Sequence, residues 1–124
     1  MTNPFKDSTK FMTACEQTVT GVNDDQFRMY SNLITEEYTE LQEALAAKDP
    51  VETLDALTDI LVVTIGAMNS MGADGEGAWR EVMATNFAKI DRQLGKVRRR
   101  DDGKILKPEG WEPPNLAKFL KREH

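Results

Sequence analysis

The stretch EEYTELQEALAAKDPVETLDALTDILVV, residues 36–63, decides the fold of this chain. At its centre Asp49-Pro50-Val51-Glu52 reads as a helix start, with an N-cap aspartate, a proline in the first turn and a capping-box acid at the third helical position. The helix before it carries Phe27, Tyr30, Ile34, Tyr38, Leu41 and Leu45 at steps of three and four, the helical period, and starts at Asn23 or Asp24. The helix after it runs to about Met71, and from Leu57 to Met68 it is apolar nearly all round, which marks a buried central element. The short connection makes the two helices antiparallel neighbours.

Each helix of this pair gathers carboxylates. Glu36, Glu37 and Glu40 lie three and four residues apart, so all three lean toward one place at the edge of the apolar seam. Glu52, Asp55 and Asp59 form a stripe on the next helix, and Ala56 beside them leaves space for an ion or a ligand. Like charges so concentrated repel, and hard divalent cations such as Mg2+ hold oxygen clusters of this kind together. Taken singly, each acid is better read as solvated helix surface. Taken together they are not, because Asp59 directly precedes Ile60-Leu61-Val62-Val63 and no Lys or Arg lies between Asp49 and Arg80.

Outward from this pair, Pro4 starts a first helix near Asn3, with Phe5, Phe11, Met12, Cys15 and Val19 as its apolar face and Gly21 as its stop. A fourth helix is expected over roughly Glu76 to Leu94, with Trp79, Val82, Met83, Phe87 and Ile90 on its inner side. Beyond it Gly95, Gly103, Pro108, Gly110, Pro113 and Pro114 punctuate a basic, largely irregular segment that closes on one short helix from Asn115 to Lys121. No strand-like alternation or internal repeat is visible. The expected architecture is therefore all-α: an antiparallel helical bundle of four main helices over residues 1–95, and a basic C-terminal arm of the same domain over residues 96–124.

At 124 residues the chain is long enough for a single core and small enough for oligomerisation to help bury apolar surface. The lone Cys15 argues against a disulfide framework, and no N-terminal segment joins a basic stretch to an apolar run, so a cytoplasmic setting is expected. The apolar run from Ile60 to Met68 is too short to span a bilayer. Charge is unevenly spread: residues 1–88 carry 5 Lys/Arg against 15 Asp/Glu, and residues 89–124 carry 11 against 6. An acidic body with a basic tail suits a metal-bound polyphosphate better than a nucleic-acid duplex, so neither nucleic acid nor membrane is expected as a partner.

These residues resemble the all-α nucleoside triphosphate pyrophosphohydrolases, the MazG-like and phosphoribosyl-ATP pyrophosphohydrolase-like proteins, whose signature is EExxE on one helix and ExxD on the next. Glu36-Glu37-Tyr38-Thr39-Glu40 matches the first half. For the second, Glu52-Thr53-Leu54-Asp55 satisfies ExxD, yet Asp59 precedes the apolar run as the family's aspartate does, with Ala56 where a glutamate is expected. The likeness continues through Ala84-Thr85-Asn86-Phe87-Ala88-Lys89, then Gly103-Lys104, Lys107-Pro108 and Pro113-Pro114.

The resemblance implies a hydrolase cleaving a nucleotide between its α- and β-phosphates to give a monophosphate and pyrophosphate. Glu37, Glu40 and either Asp55 or Asp59 would hold Mg2+, for which Mn2+ is a substitute, with Glu52 as a further ligand. Glu36 would orient or deprotonate the attacking water. Asn86 and Lys89 would contact phosphate oxygens, and Lys104 would close over them. A solvated helix lysine is an equal reading of Lys89. Arg98-Arg99-Arg100 is better read as a solvated charge run, Trp79 as core, Trp111 as an anchor for the arm, and His124 as uninvolved. Family likeness and the broad apolar surface of the third helix both imply a homodimer or homotetramer. A catalytically silent helical module that binds nucleotides or a protein is the alternative.

Overall fold

A computed structural model describes residues 2–120 of the chain. Four helices come first: α1 (Pro4–Ala14), α2 (Asp24–Ala46), α3 (Pro50–Ser70) and α4 (Gly75–Phe87). Three short strands follow, β1 (Ile90–Asp91), β2 (Lys96–Arg99) and β3 (Ile105–Leu106), then a single 3-10 turn at Ala117–Phe119. The chain forms two compact units, one running to Gly75 and including Leu120, the other Glu76–Phe119.

In the first unit each helix start has a chemical cause. Asn3 accepts from the Lys6 amide at 2.9 Å ahead of Pro4, and Asn23, rather than Asp24, accepts from the Gln26 amide at 3.0 Å. Asp49 Oδ1 accepts from the amides of Val51 and Glu52, both at 3.1 Å, ahead of Pro50. The turn before it is closed by Lys48 at φ +54°, with the Asp49 amide bonded to the Ala44 carbonyl at 3.1 Å.

Helices α2 and α3 run antiparallel. Gln26 Nε2 donates to Ser70 Oγ at 2.9 Å, and one turn further in along each helix, the bare backbone of Gly66 lies against the ring of Tyr30. Tyr30, Val63 and Ala67 form the core with Met12 of α1, and Val19, Leu33 and Ile34 pack around them. Helix α1 is tied to α3 by Asn69 Nδ2, which donates to Thr9 Oγ1 at 3.1 Å.

Helix α1 stops at Ala14, well short of the expected Gly21, because Cys15 ends it and Glu16 takes a left-handed φ of +60°. The residues that follow form no regular element and are held by side chains of α2: Gln26 Oε1 accepts from the Thr18 amide at 2.9 Å, Gln26 Nε2 donates to the Thr18 carbonyl at 2.7 Å, and the Tyr30 hydroxyl donates to Gln17 Oε1.

Taken by itself, the second unit corrects two expectations. Helix α4 ends at Phe87, not Leu94, and the segment after it is an antiparallel sheet in the order β1-β2-β3 rather than irregular. Ile90 pairs with Val97 and Arg98 with Leu106. Asp91 Oδ1 accepts from the amides of Gln93 and Leu94, both at 2.9 Å, and Gly95 at φ +67° completes the turn that helix propensity alone would not predict. The expected closing helix shrinks to Ala117–Phe119, and its last residue, Lys121, lies outside the described residues, as does His124.

Several side chains expected to line apolar faces are instead exposed, among them Phe11, Tyr38, Leu45, Leu57, Trp79, Phe87 and Ile90. No helix among the described residues is long and apolar enough to cross a membrane.

Candidate metal centre

Glu37 stands seven residues after Tyr30 on α2, and so takes a place in the seam that the core residues begin. Asp59 stands seven before Gly66 on α3 and meets it from the other side. Glu40, one turn beyond Glu37, completes the group: one carboxylate oxygen from each of Glu37, Glu40 and Asp59 lies within 4.8 Å of the others. Glu37 and Asp59 are half-buried and Glu40 is exposed, so the group opens to solvent on the Glu40 side.

The electrostatics of this group are strained in one direction. Burial pushes the Glu37 carboxyl up to about 7, helped by a hydrogen bond with Glu40 and by the negative charges of Glu40, Asp59 and Asp55. Its Oε2 is buried and has no hydrogen-bond partner. An orphaned carboxylate oxygen beside two further carboxylates is a donor set suited to a hard divalent cation, which would supply the missing partner and relieve the repulsion together.

Beside the cluster, a hollow of about 530 Å³ is lined by Glu40, Glu43, Asp49, Glu52, Asp55 and three alanines, of which Ala44 and Ala56 are buried at its floor. Glu40 belongs to both. Of the six acids singled out in the sequence, three therefore converge, while Glu52 and Asp55 line the neighbouring hollow and Glu36 is exposed outside the close group. Glu43 was missed by the sequence reading. Its signal was its place one turn after Glu40, hidden because it falls outside the EExxE spacing.

The residues expected to meet phosphate lie in the second unit. Lys89 Nζ donates to Asn86 Oδ1 at 3.2 Å and sits 5.2 Å from the centroid of the Trp111 ring, with Lys107 Nζ 4.7 Å from the same centroid. Trp111 anchors its segment to α4 by donating from Nε1 to the Thr85 carbonyl at 2.7 Å. Lys104 is exposed in the β2–β3 turn, its amide donating to Asp102 Oδ1 at 3.1 Å. The arginine triplet is tied within the sheet rather than wholly solvated. Arg98 pairs with Asp91 at 2.6 Å, Arg99 donates to the Gly103 carbonyl at 3.0 Å and Arg100 pairs with Asp102 at 2.5 Å.

Compared with known protein families, residues 9–86 match the model of phosphoribosyl-ATP pyrophosphohydrolase. A search of curated proteins found no match. The matched span holds the whole of α2 and α3, and with them all three converging carboxylates.

Proposed function

Since the chain belongs to the phosphoribosyl-ATP pyrophosphohydrolase family, and is a hydrolase of nucleotide phosphoric anhydrides, we propose that it cleaves nucleoside triphosphates between the α- and β-phosphates. Water enters, and a nucleoside monophosphate and pyrophosphate leave. The convergence of Glu37, Glu40 and Asp59 around an unpartnered Glu37 oxygen is the observation that carries this reading.

In it, Glu37, Glu40 and Asp59 hold Mg2+, which Mn2+ can replace, while Glu52 and Asp55 line the hollow beside them. A bound Mg2+ supplies charge neutralisation for phosphate oxygens and acidifies water. Glu36, exposed beside the cluster, orients the attacking water and takes its proton. Asn86 and Lys89 hold phosphate oxygens, and Lys104 closes over the polyphosphate from the basic segment. No covalent nucleophile is required in this reading. The four helices assemble as an antiparallel bundle, and the protein works in the cytoplasm as a homodimer or homotetramer.

The test is pyrophosphate release from a panel of canonical and modified NTPs and dNTPs, with and without Mg2+, with the Glu37→Gln/Glu40→Gln double variant as blank. Release that needs the metal and vanishes in the blank supports the reading. Tight nucleotide binding without turnover points instead to a silent binding module.

A further inference from the structure

The second unit holds a hollow to which the proposed hydrolysis gives no occupant. It measures about 410 Å³, within the ~300–1,000 Å³ of small-molecule sites, and is lined by Ala84, Thr85, Ala88 and residues 108–112. Its floor is the end of α4, where the Ala88 amide donates to the Ala84 carbonyl at 3.0 Å and so sets both methyl groups on one side. Its wall is a tight turn. The Trp111 amide donates to the Pro108 carbonyl at 3.1 Å, and Gly110 at φ +79° takes the left-handed conformation that such a turn requires. The bond from Trp111 Nε1 to the Thr85 carbonyl then holds the indole against the helix. All of these residues belong to Glu76–Phe119, and of the lining only Ala84 and Thr85 fall within the family match.

Charge is distributed around the indole in two ways. Glu109 and Glu112 line the hollow itself, where ionised carboxylates only accept hydrogen bonds. Lys89 and Lys107 bring their ammonium groups to 5.2 and 4.7 Å from the centroid of the ring. Among the described residues neither lysine pairs with a carboxylate. Two like charges gathered at one ring without a counter-ion suit an anion with several charged oxygens.

Resting on the nucleotide-hydrolase reading, we infer that this hollow receives the nucleobase of the substrate and that Lys107 joins Lys89 on its phosphates. The phosphates cannot themselves enter the hollow, because Glu109 and Glu112 would repel them. A flat, largely apolar base fits between the alanine floor and the aromatic wall. The two carboxylates select a base that offers an exocyclic amino group, as adenine, cytosine and guanine do and uracil does not. Pyrophosphate meets the lysines alone and a free base meets the hollow alone, so a nucleotide is the ligand that uses both.

The experiment is a titration of the full chain in chelating buffer with AMP, CMP, GMP, UMP and inorganic pyrophosphate, followed by the indole N–H signals in a nitrogen–proton NMR correlation spectrum. The chain has two tryptophans, so Trp111→Phe and Trp79→Phe each assign the Trp111 signal independently. AMP, CMP and GMP should shift that signal saturably, with UMP about 10-fold weaker. Lys107→Ala should weaken all three by about 10-fold, and Glu109→Gln/Glu112→Gln should bring UMP level with them. A Trp111 signal unmoved by millimolar monophosphate overturns the site. An equal response to all four monophosphates, or one that pyrophosphate reproduces in full, overturns the base selection. A chain whose Trp111 signal answers AMP but which releases no pyrophosphate from triphosphates fails the activity reading and keeps this site. An active chain with an unmoved Trp111 signal does the reverse.

Discussion

The ring of Tyr30 rests on the backbone of Gly66 so closely that a Cβ there would lie 2.6 Å from Tyr30 Cζ and nearer still to Cδ1 and Cε1. This contact fixes the register of α2 against α3, and seven residues along each helix the same register brings Glu37 opposite Asp59. Gly66→Ala should therefore destabilise the fold by about 1–3 kcal/mol through overpacking. It should also weaken Mg2+ binding, and a thermal melt with a Mg2+ titration reads both. A melt unchanged by the substitution would show that Tyr30 has room to swing aside.

Among the acids, position separates the close group from its neighbours. Glu37→Gln, Glu40→Gln and Asp59→Asn should each lower the rate of pyrophosphate release on the order of 100-fold or more, since each removes one member of the close group. Asp55→Asn, in the adjoining hollow, should cost far less. Steady-state kinetics at saturating Mg2+ checks the ranking, and equal losses at Asp55 and Asp59 would contradict it.

Stability should depend on pH in a direction set by Glu37. Its carboxyl is raised from 4.5 to about 7 in the folded protein, so folding favours the protonated form. That contribution is fully present below about pH 4.5 and is lost as pH rises through about 7. In a chelating buffer the melting temperature should fall across this window, and Glu37→Gln should flatten the fall. In the proposed metal role Mg2+ would bind the ionised form, so adding it should restore stability at the upper end and release a proton as it binds.

Removal of the Trp111 hydrogen bond should loosen the second unit without touching the carboxylates. Trp111→Phe keeps an aromatic ring near Lys89 and Lys107 but leaves the Thr85 carbonyl without its donor at 2.7 Å. A loss of about 1 kcal/mol is expected, seen as faster amide hydrogen exchange within Glu76–Phe119.

The helices were legible wherever capping chemistry and period agreed. Asn23, Asp49 and Pro50 announce starts that the backbone then makes, and Tyr30 and Ile34 share a spacing that tertiary packing respects. The end of α4 was not legible, because Phe87 and Ile90 continue a helical spacing while Asp91 and Gly95 form a turn that only local hydrogen bonding reveals. The sheet was hidden for a related reason. Lys96–Arg99 and Ile105–Leu106 are mostly exposed, so no alternation of apolar and polar residues marks their pairing. For the acids, sequence spacing placed Glu36, Glu37 and Glu40 on one side of α2, yet which of them met Asp59 depended on the helix-to-helix register. That register is a tertiary property set by Tyr30 and Gly66.

Asp49 and its cap tie α2 to α3 through a connection of only three residues, Ala47 to Asp49, so Glu37 and Asp59 are near neighbours along the chain as well as in space. Closing so short a loop costs little entropy, and contacts of this range form early in folding. The chain must therefore bring its carboxylates together while most of its surroundings are still unformed, and their repulsion falls on the folding barrier as well as on the folded state. A divalent cation in the refolding buffer should consequently speed folding, and monovalent salt at equal ionic strength should do so much less.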